Sequence, residues 1–182
     1  MTSPQDHDQL LLAEGGTAGA LIRNKERINK EFIDRVTAAL DETQGLSRPM
    51  TLNTLPIFLT SLALTLSPSH SRSSIAESSN ISLQHGTERA KMSRYSLSQL
   101  IHEYRILREI LQEVLVDSAQ PSLAEWKLVH ASIDAAMADS ASAFVKVHEG
   151  LREQFTATLT HDFRGPLGAA QNYLEIDPAC GR

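Results

Sequence analysis

Residues 155–167 read Phe155-Thr-Ala-Thr-Leu159-Thr-His161-Asp162-Phe163-Arg164-Gly165-Pro166-Leu167. A neutral imidazole is a nucleophile, and an acid beside it can orient one ring nitrogen, accept its proton and leave the other nitrogen to attack phosphorus. His161 and Asp162 are such a pair. At about 100° per residue, Phe155, Leu159, Phe163 and Leu167 form one apolar stripe, with His161 opposite its centre. A helix held by that stripe would present the imidazole to solvent. A satisfied core histidine does not fit this angle, and an ordinary surface histidine leaves the spacing of its neighbours unexplained. Arg164 suits a phosphate or an acidic partner, though a solvated arginine is equally consistent. Pro166 lacks an N–H and clashes with the carbonyl of Asp162, which predicts a helix kink one turn after the histidine.

This stretch resembles the phosphoacceptor helix of the dimerisation and histidine-phosphotransfer domain of sensor histidine kinases, roughly F-x-x-x-[LM]-[ST]-H-[DE]-[LFI]-R-[TN]-P-L. The resemblance implies that His161 is the phosphoacceptor and Asp162 the orienting base. It also implies a homodimer, transfer to an aspartate on a response regulator receiver domain, and ATP with Mg²⁺ for a kinase domain. The resemblance covers 155–176. The second phosphotransfer helix and the ATP-binding domain are not among the 182 residues, so the chain alone is expected to be inactive and to hold no cofactor. Gly165 departs from the pattern. The family has Thr or Asn there to position water for dephosphorylating the regulator, about 40° from the histidine around the helix. Gly165 puts phosphatase activity in doubt.

The elements that must place this motif are helical throughout. Residues 18–46 carry Ile22, Ile28, Phe32, Val36 and Leu40 at helical spacing, predicting one amphipathic helix ending near Gly45. A second starts near Asn53 or Thr54, tolerates Pro56 in its first turn, and carries Leu55, Phe58, Leu59, Leu62 and Leu66. Eight of the eighteen positions 67–84 are serine, which predicts a long mobile loop before a short helix over 85–92. Ser96 to Gln99 forms a capping box opening a helix to about Val116. Ser122 and Glu125 open another. From Trp126 through Val129, Ile133, Ala136, Ser140, Phe144, Val147, Leu151, Phe155 and Leu159, its apolar or small residues recur every three or four positions. A stripe this long exceeds what one such domain can bury, which predicts a parallel coiled-coil homodimer. A long helix folded back on its own domain is the alternative.

Ahead of that helix, His85-Gly86-Thr-Glu-Arg89-Ala90, then Tyr95-Ser-Leu97, then Glu103-Tyr104-Arg105-x-Leu107-Arg108 resemble the N-terminal sensor domain of RsbR-type stressosome co-antagonists. The resemblance implies a helical input domain with His85, Arg89, Tyr104 and Arg108 as a possible sensor site for an unknown small-molecule or protein signal. A purely structural role is also open: Gly86 lets two helices approach, and Arg89 pairs with Glu103. For a haem, His85, His102, His130 and His148 are the candidate axial ligands, in surroundings poor in aromatics.

Composition sets the frame. A chain of 182 residues with 41% hydrophobic and 21% charged residues is long enough for one core. A net charge of −5 argues against nucleic acid. The single Cys180 excludes an internal disulfide or a cysteine zinc site, and suits a reducing compartment. The N-terminus has no basic region leading into an apolar run, and the apolar segment 55–66 is too short to span a bilayer. The reading is therefore all-α and cytoplasmic, without membrane or metal. An N-terminal extension (1–17) precedes a helical sensor bundle (18–120), a signalling helix (121–154), the first phosphotransfer helix (155–176) and a tail (177–182). In function it is the sensory and dimerisation part of a two-component histidine kinase. The alternative is a non-enzymatic stressosome-type scaffold.

Overall fold

The computed structural model describes residues 8–9, 11–13, 15–39, 54–68, 75–92 and 95–175. Among these the chain is all-helical, with no strand. The principal helices are α1 (Gly16–Arg23), α2 (Lys25–Ala39), α3 (Leu55–Leu66), α4 (Ile75–Ala90), α5 (Leu97–Ser118) and α6 (Leu123–Glu175). Two compact units are present, Met1–Val145 and Lys146–Arg182. Among the described residues no helix is long and apolar enough to cross a membrane.

In the first unit α3 is the central helix. Its expected single stripe is an underestimate, because Thr60, Ser61, Ala63 and Leu64 are buried along with Phe58, Leu59 and Leu62. A helix buried around most of its circumference must satisfy its own polar side chains. Thr60 Oγ1 donates to Asp8 Oδ1 at 2.9 Å and accepts from Lys25 Nζ at 2.7 Å, while Thr65 bonds back to the Ser61 carbonyl. Pro56 lies in the first turn, where no N–H partner is lost. Helix α1 packs on α3 and α5, α2 on α5 and α3, and α4 on α3. Leu11 is fully buried and Asp8 pairs with Lys25, so part of the N-terminal segment belongs to this core.

Two sequence expectations change. The single helix from 18 is two, α1 and α2, separated at Asn24, whose amide donates to the Ala20 carbonyl at 2.9 Å. Its expected end near Gly45 lies outside the described residues. The serine-rich 75–84 is not a loop but the first part of α4. Serine lowers helix propensity only by tenths of a kcal/mol each, and Ile81, Ser82 and His85 find tertiary partners.

Helices α5 and α6 begin as expected. Ser96 Oγ accepts from Gln99 N while the Gln99 side chain accepts from Ser96 N at 2.6 Å. Ser122 and Glu125 repeat the arrangement. Between the two helices, Ala119 N and Gln120 N both donate to the Leu115 carbonyl, and Gln120 takes φ 49° before Pro121.

The long stripe on α6 divides. Val129, Ile133, Ala136, Ser140, Ala143 and Phe144 are buried within the first unit, by the same chain. For this half the helix folds back on its own domain, the alternative to a dimer seam. In the second unit Leu151, Phe155, Leu159 and Phe163 are exposed. The helix continues past Pro166 to Glu175, so the proline does not end it.

Candidate functional site

The acceptor motif occupies the second unit. Every residue from 151 to 166 is exposed. The His161 side chain is 88% exposed and that of Asp162 66%, with His161 Nδ1 3.3 Å from Asp162 Oδ1. This orientation makes Nδ1–H the donor to the carboxylate and leaves the Nε2 lone pair toward solvent. Arg152, Thr156, Thr160 and Arg164 border the same open face as His161. Thr156 and Thr160 donate to the carbonyls four residues back. Phe155, Leu159 and Phe163 are 65%, 38% and 57% exposed. A Cβ at Gly165 would meet nothing within 4 Å, so no packing constraint requires glycine there.

A second constellation lies inside the first unit. Arg89 and Glu103, each 1% exposed, form a buried ion pair. Arg89 Nε donates to Glu103 Oε1 and Oε2 at 3.0 and 3.1 Å, and the guanidinium lies 5.5 Å from the centre of the Tyr95 ring. His85 Nε2 is 2.8 Å from Glu103 Oε2, and its Nδ1 is 3.1 Å from Thr54 Oγ1. Thr54 is the N-cap of α3 but makes no side-chain cap bond, because its hydroxyl is turned to His85. Burial alone would push the Glu103 carboxyl up. The hydrogen bond from His85, the charge that ring carries when protonated, and the Arg89 guanidinium outweigh burial and hold the carboxyl at about 2.

Tyr104 completes the cluster. Its ring meets His85 edge-on at 5.8 Å, and its hydroxyl is 2.7 Å from Ser140 Oγ. Ser140 Oγ donates its one proton to the Ser82 carbonyl at 2.6 Å, so Tyr104 is the donor to Ser140. Burial pushes the Tyr104 hydroxyl up to about 12, which keeps it a donor. Helix α4 reaches α6 at this point through Gly86. A Cβ on Gly86 would lie 2.0 Å from the Ser140 carbonyl oxygen. Glycine is required here by close approach of two backbones.

Of the four expected sensor residues, His85, Arg89 and Tyr104 come together. Arg108 does not join them, because it pairs with Asp134 on α6. The two-helix approach at Gly86 and the Arg89–Glu103 pair stand as the structural reading of the sequence had them. His85 has both ring nitrogens engaged, and His130 stacks on Trp126 at 5.7 Å. Thr54, Ser82 and Ser140 were missed as site residues. The available signal was Ser140 itself, a hydroxyl at a core position of an apolar stripe.

Compared with protein families, curated proteins and solved structures, the chain matches none of them.

Proposed function

We propose that the chain is the sensory and dimerisation portion of a two-component histidine kinase, with His161 as phosphoacceptor. The observation that carries this reading is an exposed His161, on the helix face opposite Phe155, Leu159 and Phe163, paired with Asp162 beside it. In the reaction His161 Nε2 attacks the γ-phosphorus of ATP. The bond from that phosphorus to the bridging oxygen breaks and ADP leaves. Asp162 stabilises the Nδ1–H as charge develops on the ring. The phosphoryl group then passes to an aspartate on a receiver domain.

Joined in frame to a second phosphotransfer helix and an ATP-binding domain, the chain is expected to take an acid-labile phosphoryl label. His161→Gln should abolish it, and Asp162→Asn should slow it roughly a hundredfold, the lower end for a lost acid–base partner. Full labelling of His161→Gln would assign the acceptor elsewhere. It would leave the non-enzymatic stressosome-type scaffold as the better reading, which the self-contained core of the first unit also suits.

The same reading makes the exposed apolar residues of the second unit a homodimer seam. With the upstream half of the stripe already buried, the seam is confined to residues beyond 145. Sedimentation equilibrium should show a dimer at tens of micromolar, on the order of the weak association expected for one short seam. Leu151→Glu with Phe155→Glu should give the monomer, since unpaired charges in an apolar seam are costly. A wild-type monomer at that concentration would remove the seam.

A further inference from the structure

A cavity lies between α2, α3, α4 and α5 in the first unit. Phe32, Leu55, Phe58 and Leu107 form its apolar wall, with Thr54 and His85 on its polar edge. About 30 Å³ is open to the centres of water-sized spheres, inside a wider recess of about 390 Å³ that includes the mouth. The inner space suits about two waters, at ~10–15 Å³ of such volume each.

The geometry points to a binding site for a small neutral ring compound bearing one hydroxyl, of the phenol class, whose occupancy is felt at Ser140 on α6. Four observations carry this.

First, two phenylalanines and Tyr104 line the space, which suits a flat ring. Second, Arg89 and His85 already engage the Glu103 oxygens, and with His85 neutral the Arg89–Glu103 pair leaves no net charge to balance an anion or a cation. Third, Thr54 Oγ1 has hydrogen-bonding capacity beyond His85. If His85 is neutral, Thr54 donates to Nδ1 and its lone pairs accept from a ligand. If His85 is protonated, Thr54 accepts from Nδ1 and its own proton donates. A hydroxyl satisfies either case, whereas a pure donor or a pure acceptor satisfies one.

Fourth, a ring is larger than the closed space, so binding must part the walls. Ser82 on α4 and Tyr104 on α5 both line the cavity, and they are the two hydrogen-bond partners of Ser140. Parting α4 from α5 therefore strains the junction that fastens α6. The inference concerns the first unit alone and stands whether or not His161 accepts phosphate.

The test is an amide NMR titration of the intact chain with phenol, using toluene and benzoate as comparisons. Phenol should shift amides at 54–58, 82–85 and 107 saturably, with Kd on the order of 1 mM for so small a ligand. Toluene should bind about fivefold more weakly and benzoate not at all. At saturation, amide exchange around Ser140 should accelerate. Thr54→Val should erase the difference between phenol and toluene. Phe58→Trp, which fills the recess, should abolish both shifts while circular dichroism reports an intact bundle. If that variant unfolds, Thr54→Val decides alone. Shifts that rise without saturating, or that survive Thr54→Val unchanged, would overturn the site. Saturable binding with unchanged exchange at Ser140 would overturn the coupling.

Discussion

Glu103→Gln should destabilise the first unit by about 3–5 kcal/mol, the cost of leaving a buried charge without its partner. Arg89 is 1% exposed and takes its ionic bonds from this carboxylate. A glutamine keeps the shape and one acceptor oxygen but leaves the guanidinium charge in the core. Urea unfolding followed at Trp126 measures the loss. Replacing both partners, Glu103→Leu with Arg89→Met, should recover most of it, because a buried pair exchanged for apolar residues is often neutral. Single and double variants of equal stability would mean that the pair is solvated.

The same carboxyl fixes the direction of the acid response. Its pKa is about 2 in the folded chain against 4.5 as reference. The depressed value means its contribution is complete above about pH 5 and is lost as pH falls toward 2, a span equivalent to about 3 kcal/mol. Glu103→Gln should therefore flatten the stability profile over that interval.

Gly86→Ala is the other substitution with a large expected effect. The added methyl would stand 2.0, 2.7 and 2.8 Å from the carbonyl oxygen, carbonyl carbon and Cα of Ser140. All three are backbone atoms, so no rotamer change relieves the contact. Helices α4 and α6 must separate by about 1 Å or more, in an interior packed too densely to absorb it. Destabilisation of about 2 kcal/mol or more is expected, with the Tyr104–Ser140–Ser82 chain broken. The amide and side-chain resonances of those three residues would report it. Gly150→Ala is the control, since nothing lies within 4 Å of a Cβ there and alanine favours the helix. Equal stability of the Gly86 and Gly150 variants would show that the approach at Ser140 does not exist.

What could be read in advance follows from which forces are local. Helix starts at Ser96 and Ser122 were legible because capping chemistry lies within four residues. The Arg89–Glu103 pair was legible as a charge-and-spacing match between two adjacent segments. The serines of 75–84 misled because composition records propensity, while Ser82 is fixed by a hydroxyl 58 residues away on Ser140. The long stripe was legible only in part, for a related reason. Its period shows that Val129 to Phe144 must be covered, but does not say by what, and the covering helices lie in the same chain. Arg108 was grouped with Tyr104 through the resemblance to a sensor domain, yet one turn further along the helix it pairs with Asp134. The contact between His161 and Asp162 was legible, because adjacency on one helix leaves little for the rest of the fold to decide.

The division of α6 between two units also bears on how the chain loses its structure. Up to Val145 the helix shares a core with the bundle, and its backbone bonds can open only when that core opens. From 151 to 166 every side chain is exposed, and the helix there rests on its own peptide hydrogen bonds. Such a segment follows helix–coil statistics, gradual in temperature, rather than an all-or-none transition. Heating should therefore draw down far-ultraviolet ellipticity over a broad range before the near-ultraviolet signal of Trp126, stacked on His130, collapses sharply. The two curves would draw together as concentration rises if a second copy covers the exposed seam, because association adds free energy by mass action to that segment alone. Calorimetric and van't Hoff enthalpies will not agree for this chain, and no single melting temperature describes it.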